Sequence, residues 1–291
     1  MIIIAESGST KCDWIILNSE GSEQLRLKTI GFNPYFHSTE FVKKTLESDA
    51  RMLNLKSSIT SIYFYGAGYS SDTLKAQIEQ GLSSFFTEAE VKVDHDLVAA
   101  AYSLYQGKPL ISCILGTGSN SGYFDGNQVD EEVPALGFIL GDEASGCDIG
   151  KQFIKDFLYK KLPPDLYEKF LTEFGLGWCE IRPEVYNATH ANVYLSSFMP
   201  FIVEHRSSEH IQQIVNKSIQ AFIEIHIKSY PQYRDVEVGF VGSIAYLFQD
   251  NLKSELEKAG CMVGRIIQGP VDHLVDYHLD QMDVLAKLES A

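Results

Sequence analysis

Two short runs of small and hydroxyl-bearing residues have the composition of phosphate-binding turns. One is Glu6-Ser7-Gly8-Ser9-Thr10-Lys11, within Ile2–Leu17, and the other is Gly116-Thr117-Gly118-Ser119-Asn120, within Leu110–Phe124. Glycine lets the backbone approach a ligand, and the N–H and hydroxyl groups of such turns can donate to phosphate oxygens. A single turn of this kind is more often a plain hairpin than a phosphate site. Two of them in one chain indicate an internal duplication with two facing phosphate loops.

Acidic side chains at the ends of apolar runs could supply metal binding and proton transfer. Glu6 ends the first apolar run, where a carboxylate is costly without a partner. Asp96 follows a predicted strand and precedes a predicted helix, which suits a general base at the edge of a sheet and suits a helix N-cap equally well. The residues alone slightly favour capping, and Asp94 competes with Asp96 for the role of base. His95, between them, is expected to be a packing or surface residue.

The elements that must position these residues occur in the same order twice. Three strands are followed by a helix from Ser38 or Thr39 to Leu53, and then by strand, helix, strand and helix. The second half repeats this β-β-β-α-β-α-β-α order with insertions, a third strand at about 128–133, and a helix after residue 146 that Pro163-Pro164 stops. A long helix over 211–227 carries an apolar stripe that indicates core. We predict an α/β protein with two lobes, 1–108 and 109–291, of which the last helix, about 271–288, either stays with the second lobe or packs back on the first.

Composition and charge exclude several function classes. The chain has 291 residues, a hydrophobic content of 45% and a net charge of −15. An acidic surface opposes binding to nucleic acid and to anionic membranes, and no apolar run approaches the ~20 residues of a membrane span. The first residues lack the features of a signal peptide, and the five cysteines are widely spaced, without a metal-binding pattern. We therefore expect a cytoplasmic protein with reduced, buried thiols and no nucleic-acid or membrane partner.

Four motifs, in this order, resemble those of the BadF/BadG/BcrA/BcrD family of the actin/hexokinase/Hsp70 superfamily, and within it the N-acetylglucosamine kinases. They are Ala-Glu-Ser-Gly-Ser-Thr-Lys at 5–11, Gly-Thr-Gly-Ser-Asn at 116–120, Gly-Asp-Glu-Ala-Ser-Gly at 141–146 and Val-Gly-Ser-Ile-Ala at 241–245. The resemblance covers nearly the whole chain. It implies two actin-like (ribonuclease H-like) lobes, each a mixed β-sheet flanked by helices, with an interlobe cleft. It also implies ATP- and Mg²⁺-dependent phosphorylation of N-acetylglucosamine or a related amino sugar, at the 6-hydroxyl.

The resemblance also implies the roles of individual residues. Those that match phosphate or adenosine contacts are Ser7, Gly8, Ser9, Thr10, Lys11, Gly116, Thr117, Gly118, Gly242 and Ser243. Those that match sugar contacts are Asn33, Tyr35, Asp96, Ser119, Asn120, Gly137 and Asp142. Asp96 becomes the base that accepts the proton of the sugar hydroxyl, while Glu6 stands where most family members have an aspartate that holds Mg²⁺ directly or through water. Lys11 is equally compatible with a side chain that points to solvent, and a homodimer is compatible with the class.

Two other functions are compatible with the same fold. One is an ATPase activator of a 2-hydroxyacyl-CoA or benzoyl-CoA type dehydratase or reductase. Such activators share an iron–sulfur cluster between two chains through two cysteines per chain, and Cys113 and Cys147 are the only pair near the relevant loops. The other is a non-catalytic sugar sensor. The intact Asp96 and the two phosphate turns favour catalysis.

Overall fold

The structure is a computed structural model that describes residues 1–8, 11–69 and 71–289. Packing divides the chain into two compact units. The first comprises Met1–Tyr105 together with the segment that begins at Pro270, and the second comprises Gln106–Gly269. Each unit contains one five-stranded sheet.

The first sheet is mixed, and its apolar central strand positions the first turn. Its strands are β1 (Ile2–Ser7), β2 (Lys11–Leu17), β3 (Glu23–Ile30), β4 (Ser61–Gly66) and β5 (Glu90–His95), in the order β3-β2-β1-β4-β5. The β1–β2 and β2–β3 pairs are antiparallel, whereas β1, β4 and β5 run parallel. The carboxyl ends of β1, β4 and β5 therefore share one edge, where ligands of open α/β sheets usually bind.

Four helices belong to the first part of this unit: α1 (Thr39–Glu47), α2 (Ala50–Leu55), α3 (Asp72–Phe85) and α4 (Asp96–Leu104), with a short 3₁₀ turn at Lys56–Ser58. The prediction of one continuous helix to Leu53 is wrong. The helix ends at Glu47, and the side chain of Asp49 accepts from the Arg51 N–H to cap a new helix. Aspartate competes with helix continuation because its carboxylate can bond to nearby backbone N–H groups. Leu53 is consequently 48% exposed rather than buried.

The second sheet repeats the first. Its strands are β6 (Leu110–Leu115), β7 (Ser119–Phe124), β8 (Val129–Asp130), β9 (Glu237–Val241) and β10 (Met262–Ile267), in the order β10-β9-β6-β7-β8. The β6–β7 and β7–β8 pairs are antiparallel, and β6, β9 and β10 run parallel. The predicted duplication of the strand order is confirmed, although β8 is shorter than the predicted strand at 128–133.

The helices of the second unit include a large insertion between β8 and β9. They are α5 (Gly137–Leu140), α6 (Gly146–Leu158), α7 (Pro164–Phe174), α8 (Trp178–Tyr186), α9 (Ala191–Ser196), α10 (Met199–Glu204), α11 (Glu209–Phe222), α12 (Ser243–Leu247) and α13 (Gln249–Lys258). The prolines do not stop α6, which ends five residues before Pro163. They begin α7 instead, because the first N–H groups of a helix have no intrahelical acceptor and proline, which has no N–H, is tolerated there. The apolar stripe of α11 is core as predicted, and the helix continues as a π-helical segment at Ile223–Ile227.

The last helix, α14 (Val271–Glu289), packs on the first unit through aromatic side chains. The Tyr65 hydroxyl lies 2.8 Å from His278 Nε2, and the Tyr102 and Tyr277 rings stack at 4.2 Å. Burial, with a smaller contribution from the charge of Lys92, lowers the pKa of His278 to about 4. Among the helices of the described residues, none combines the length and the apolar character needed to cross a bilayer.

Candidate active site

Two carboxylates lie close together at the carboxyl edge of the first sheet. Glu6 is the penultimate residue of β1, and Asp96 is the first residue of α4, directly after β5. Burial, followed by the charges of Asp96 and Asp13, raises the pKa of Glu6 to about 7 in spite of the opposing charge of Lys11. The structure therefore brings together the two residues predicted to bind metal and to act as base, and their mutual repulsion would be relieved by a cation.

Asp13 is a third acidic residue of this edge that the sequence analysis missed. It stands directly opposite Glu6 in the β1–β2 pair, in register on the neighbouring strand. Its carboxylate lies 3.0 Å from Lys11 Nζ and 3.2 Å from Lys28 Nζ. Burial alone would raise the pKa of Asp13, but hydrogen bonds from the two lysines outweigh burial and lower it. Lys11, predicted to contact phosphate, is thus paired with Asp13, with its side chain 62% exposed. The signal in the sequence that could have identified Asp13 is its charge within the apolar run of β2.

The alternative in which Asp96 caps its helix is wrong. The N-cap of α4 is His95, whose Nδ1 accepts from the Leu97 N–H at 3.1 Å. The same Nδ1 lies 3.0 Å from Asp96 Oδ1, so His95 also borders the predicted base. The competing residue, Asp94, accepts from Lys75 Nζ at 3.4 Å and is half exposed. Asp96 is free of the capping role, and Asp94 is held by a lysine.

The first turn is fixed by buried contacts with the residues that follow β3. Ser7 is fully buried, and its Oγ accepts from the Phe32 N–H at 2.7 Å. A Cβ on Gly31 would lie 2.1 Å from the Gly8 carbonyl oxygen, so this backbone approach requires glycine. Ser7 is therefore engaged in positioning the loop at Gly31. Ser9 and Thr10, also predicted to contact phosphate, lie outside the described residues.

The loop after β3 holds the first predicted sugar contacts. Asn33 is buried, its Oδ1 accepts from the Tyr35 N–H at 3.0 Å, and its amide packs on Gly68. Tyr35 is 60% exposed. Tyr69, which the sequence analysis did not single out, lies beneath this loop: its hydroxyl donates to the Phe32 carbonyl at 3.4 Å. Burial, followed by the charges of Cys12, Asp96 and Glu6, raises the pKa of Tyr69, which places this phenol near the carboxylates.

The second turn, between β6 and β7, is joined to the start of α6. The Gly116 carbonyl accepts from the Gly146 N–H at 2.8 Å, and the Thr117 carbonyl accepts from the Cys147 N–H at 3.2 Å. Within the turn, the Gly116 N–H donates to the Gly118 carbonyl. The carbonyls of this turn thus accept hydrogen bonds from the first backbone N–H groups of α6, which have no acceptor within the helix. Its remaining side-chain donor is the partly exposed Thr117 hydroxyl.

The predicted adenosine-binding turn packs directly on this second turn. Gly242 has φ +127°, and a Cβ there would lie 2.2 Å from the Leu115 carbonyl oxygen and 3.3 Å from the Gly116 nitrogen. Ser243 follows as the exposed first residue of α12. Because β6 and β9 are parallel neighbours, both turns lie at the same edge of the second sheet.

Three predicted sugar contacts also meet at this edge. Asp142 Oδ1 accepts from the Ser119 N–H at 3.3 Å, and its carboxylate lies against Gly118. Burial is the main cause of a raised pKa of Asp142. The Ser119 hydroxyl is buried, and it has no hydrogen-bond partner among the described residues. Asn120 is buried next to it, with Oδ1 on the Ser121 N–H at 2.8 Å. Gly137, by contrast, begins α5 with φ +72° and open space around it.

The site residues present two carboxylates that fit Mg²⁺. This ion is commonly held by one or two carboxylates together with water and substrate phosphates, rather than by an all-protein cage. No cluster of three or more metal-binding side chains occurs among the residues that the structure describes. Glu6 and the adjacent Asp96 have the oxygen chemistry that Mg²⁺ prefers, and the raised pKa of Glu6 reflects a carboxylate that a cation would stabilise.

Solved structures give the comparison with known proteins. No protein-family model matches the chain, and a search of curated proteins finds no match. A candidate N-acetylglucosamine kinase from Porphyromonas gingivalis is 36% identical, with a TM-score of 0.90, over 96% of this chain and 98% of that one.

Two more distant structures share the fold. A candidate N-acetylglucosamine kinase from Chromobacterium violaceum is 18% identical, with a TM-score of 0.71, over 95% of this chain and 98% of that one. A ROK family glucokinase from Streptomyces griseus, in complex with glucose and AMPPNP, is 15% identical, with a TM-score of 0.55, over 95% and 97% of the two chains. At 36% identity over nearly the whole of both chains, the Porphyromonas gingivalis protein and the present chain belong to one family, within the actin-like sugar kinases.

Proposed function

We propose that this chain is an ATP-dependent kinase that transfers the γ-phosphate to a hydroxyl, the 6-hydroxyl, of N-acetylglucosamine or a closely related amino sugar. The observation that carries the proposal is the proximity of Asp96 to the partly buried Glu6 at the carboxyl edge of the first sheet. Phosphoryl transfer to a hydroxyl needs a base or orienting group for that hydroxyl and a charge-neutralising metal at the phosphates. The 36% identical relative, a candidate N-acetylglucosamine kinase, supports the choice of sugar.

In this proposal the first unit supplies the base and the metal ligand. Asp96 accepts the proton of the sugar hydroxyl, which makes the oxygen a better nucleophile. Glu6 holds Mg²⁺ directly or through water, and the ion, when bound, neutralises charge on the phosphate oxygens. Asn33 and Tyr35 bind the sugar from the loop after β3, and Ser7, Gly8 and Lys11 line the phosphate turn together with Ser9 and Thr10.

The second unit supplies the remaining contacts from one edge of its sheet. Gly116, Thr117 and Gly118 bind phosphate, and Gly242 with Ser243 accommodates the adenosine. Ser119, Asn120, Asp142 and the backbone at Gly137 bind the sugar. The support for this division is that the two glycine turns pack on each other, while Asp142 is held against Gly118 and Ser119. The buried Ser119 hydroxyl would find in the sugar the partner that it lacks among the described residues.

Within the actin-like sugar kinases we assign the chain to the BadF/BadG/BcrA/BcrD family, on the support of the four motifs. The activator branch of that family is disfavoured. Cys113 and Cys147 are fully buried, and burial raises the pKa of both thiols, whereas a cluster shared between two chains needs accessible thiolates. The unpaired, mostly buried cysteines support a reducing, cytoplasmic compartment. A homodimer is expected for the class and is tested by light scattering of the purified protein.

A coupled assay of ADP formation tests the proposed function. The purified protein should convert ATP to ADP only when a sugar acceptor is added, with N-acetylglucosamine, glucosamine, glucose, N-acetylmannosamine and N-acetylmuramic acid as the panel. Phosphorus NMR of the product then identifies the phosphorylated hydroxyl. Absence of stimulation by every amino sugar of the panel would refute the proposal.

The matched variants Asp96→Asn and Asp94→Asn test the assignment of the base. Asp96→Asn should retain nucleotide binding and lose turnover by about 10²–10⁴-fold, the usual contribution of a general base. Asp94→Asn changes the same charge two residues away, at a partly exposed lysine pair, and should keep turnover within about twofold. Near-normal turnover of Asp96→Asn, or an equal loss in both variants, would remove Asp96 from the role of base.

A further inference from the structure

The segment Asp142–Ala144, which carries a proposed sugar ligand, has a backbone that its own residues do not favour. Asp142 has φ +60° and Ala144 has φ +58°, in a turn closed by the Ser145 N–H on the Asp142 carbonyl. L-residues rarely adopt positive φ; aspartate does so more readily than most, whereas alanine has no side-chain polar group that would favour it. Surrounding contacts must therefore hold this segment in place.

Two side chains of the α11 helix and its π-helical continuation supply those contacts. The Ala144 N–H donates to Ser218 Oγ at 3.0 Å, and the Ser218 hydroxyl in turn donates to Asp148. Glu143 Oε2 lies 3.3 Å from Nε2 of His226, which belongs to the π-helical segment Ile223–Ile227. Because π-helical turns are rare and frequently occur at functional sites, the placement of His226 on one is informative.

His226 also reaches the strand that bears the other proposed sugar ligands. Its Nδ1 lies 3.3 Å from the Ser121 hydroxyl, and its ring stacks on Phe222 at a centroid distance of 4.5 Å. Glu143 as a carboxylate can only accept, so Nε2 carries the proton and Nδ1 is left as an acceptor, which shares the Ser121 hydroxyl with the His226 carbonyl, also at 3.3 Å. Burial lowers the pKa of His226 although Glu143 opposes this shift, which agrees with a neutral ring.

Two hydrogen-bonded links join β7 to the segment Asp142–Ala144. One link is the direct bond from the Ser119 N–H to Asp142, and the other runs from Ser121 through His226 to Glu143. The two links start two residues apart on one strand and end on adjacent residues of the turn. A displacement of Glu143 would therefore carry Asp142 away from Ser119.

We propose that His226 is a positioning residue that sets the Asp142 carboxylate against Ser119 for binding of the sugar, a role that rests on the proposed function of the chain. His226 is buried, with 3% of its surface exposed, so it acts through Glu143 and does not touch the substrate. Its loss should weaken binding of the acceptor and leave binding of the nucleotide nearly unchanged.

The matched pair His226→Asn and His226→Gln separates this role from general packing. A glutamine amide reaches the position of Nε2 and can still donate to Glu143, whereas an asparagine amide ends near Nδ1 and reaches only toward Ser121. Both variants remove the ring and its stacking on Phe222. Tyr230→Phe is the control for the Ser121 end of the network, because it removes a hydroxyl that donates to the Ser121 carbonyl and lies 3.3 Å from the Ser121 hydroxyl, but leaves the His226–Glu143 contact in place.

The first measurement is steady-state kinetics with both substrates on protein shown to be folded by circular dichroism. His226→Asn should raise the sugar KM at least about tenfold, about 1.4 kcal/mol, with the ATP KM within about twofold. His226→Gln should restore most of the loss, and Tyr230→Phe should stay near wild type. An unchanged sugar KM in His226→Asn, an equal rise of both KM values, or no difference between the Asn and Gln variants would overturn the proposal. Should His226→Asn fail to fold, Ser218→Ala, which removes the hydroxyl that accepts from the Ala144 N–H and so loosens the same segment, must show the same selective rise.

The second measurement is amide hydrogen exchange, which needs no substrate. The N–H groups of Ser119 and Ala144 should exchange at least about tenfold faster in His226→Asn and not in His226→Gln, since loss of the Glu143 link frees the segment. Unchanged exchange in His226→Asn would overturn the positioning role. A wild-type protein without sugar-dependent turnover would instead refute the proposed function, and the exchange rates alone would then decide whether His226 holds the segment.

Discussion

Replacing Gly242 with alanine tests whether the two glycine turns of the second unit must pack as closely as the structure shows. Gly242 has φ +127° and ψ 160°, a region that almost only glycine occupies. A Cβ at this position would lie 2.2 Å from the Leu115 carbonyl oxygen, whereas ordinary contacts begin at 3.4 Å. The substitution therefore combines an unfavourable backbone conformation with a steric overlap against backbone.

The size of the effect follows from these two contributions. A residue held in such a region costs about 1–3 kcal/mol, and an overlap that displaces backbone typically costs another ~1–3 kcal/mol. We expect Gly242→Ala to lower the free energy of unfolding by roughly 3 kcal/mol or more. In a domain of about 150–250 residues this corresponds to a fall in Tm of about 6–12 °C. The ATP KM should rise as well, because the turn at Gly116 moves with it.

Gly260→Ala is the matched control in the same unit. Gly260 also has positive φ, +76°, but a Cβ there would meet no atom within 4 Å. Its substitution should cost only the left-handed conformation, about 1 kcal/mol, and leave the ATP KM unchanged. Thermal unfolding and steady-state kinetics of both variants are the assays. If the two variants lose the same stability to within about 1 kcal/mol, the close approach of Gly242 to Leu115 is not a constraint, and the reasoning fails.

Three further predictions concern other parts of the molecule. The buried His278 has a pKa of about 4, below its unfolded value, so the unfolded chain binds more protons between about pH 4 and 6.5 and stability should fall by up to about 3 kcal/mol as pH drops through that window. His278→Gln should flatten that part of the stability profile measured by urea unfolding. Ser7→Ala leaves the buried Phe32 N–H without its acceptor and should lower the free energy of unfolding by about 1–3 kcal/mol, measured by urea unfolding. Thr117→Val should chiefly raise the ATP KM and Asn120→Ala chiefly the sugar KM, each by roughly tenfold in steady-state kinetics.

Each of these predictions has an outcome that contradicts it. A pH profile of His278→Gln with the wild-type slope would mean that other groups cause the acid sensitivity. Full stability of Ser7→Ala together with a higher ATP KM would assign the Ser7 hydroxyl to phosphate binding and not to positioning. Equal loss of the same function in Thr117→Val and Asn120→Ala would show that the turn does not divide its contacts between donor and acceptor.

The order of the secondary-structure elements could be predicted because it depends on local patterns. Apolar runs separated by turns specify strands, and the same order in both halves predicts two similar sheets, whereas the strand order within each sheet depends on pairing between residues far apart in the chain. Local competition among polar side chains was harder to predict. The break at Asp49 and the capping by His95 both depend on which of several adjacent polar groups reaches a free N–H, and sequence spacing does not decide that.

The contacts that position the site could not be predicted because they join residues far apart in the chain. Glu143 and His226 are separated by 83 positions, and His226 stands in an apolar stripe where it looks like an ordinary core residue. Asp13 gave a local signal, a charge in an apolar strand, but its proximity to Glu6 depends on the β1–β2 register. Residues that touch a ligand lie in short motifs, whereas the residues that hold them are distributed over the fold.

Gly242, in the fourth motif, and Gly31, directly after β3, are constrained by protein contacts as well as by any ligand. In the first unit Gly31 packs on the Gly8 carbonyl, which belongs to the first turn. In the second unit Gly242 packs on the carbonyl of Leu115, the last residue of the strand that leads into the second turn. A glycine there is required for backbone approach even without a bound phosphate. Loss of activity in a glycine-to-alanine variant at these positions would therefore not show a phosphate contact. Side-chain variants such as Thr117→Val, which leave the backbone bond to Cys147 intact, are the ones that test the turn as a binding site.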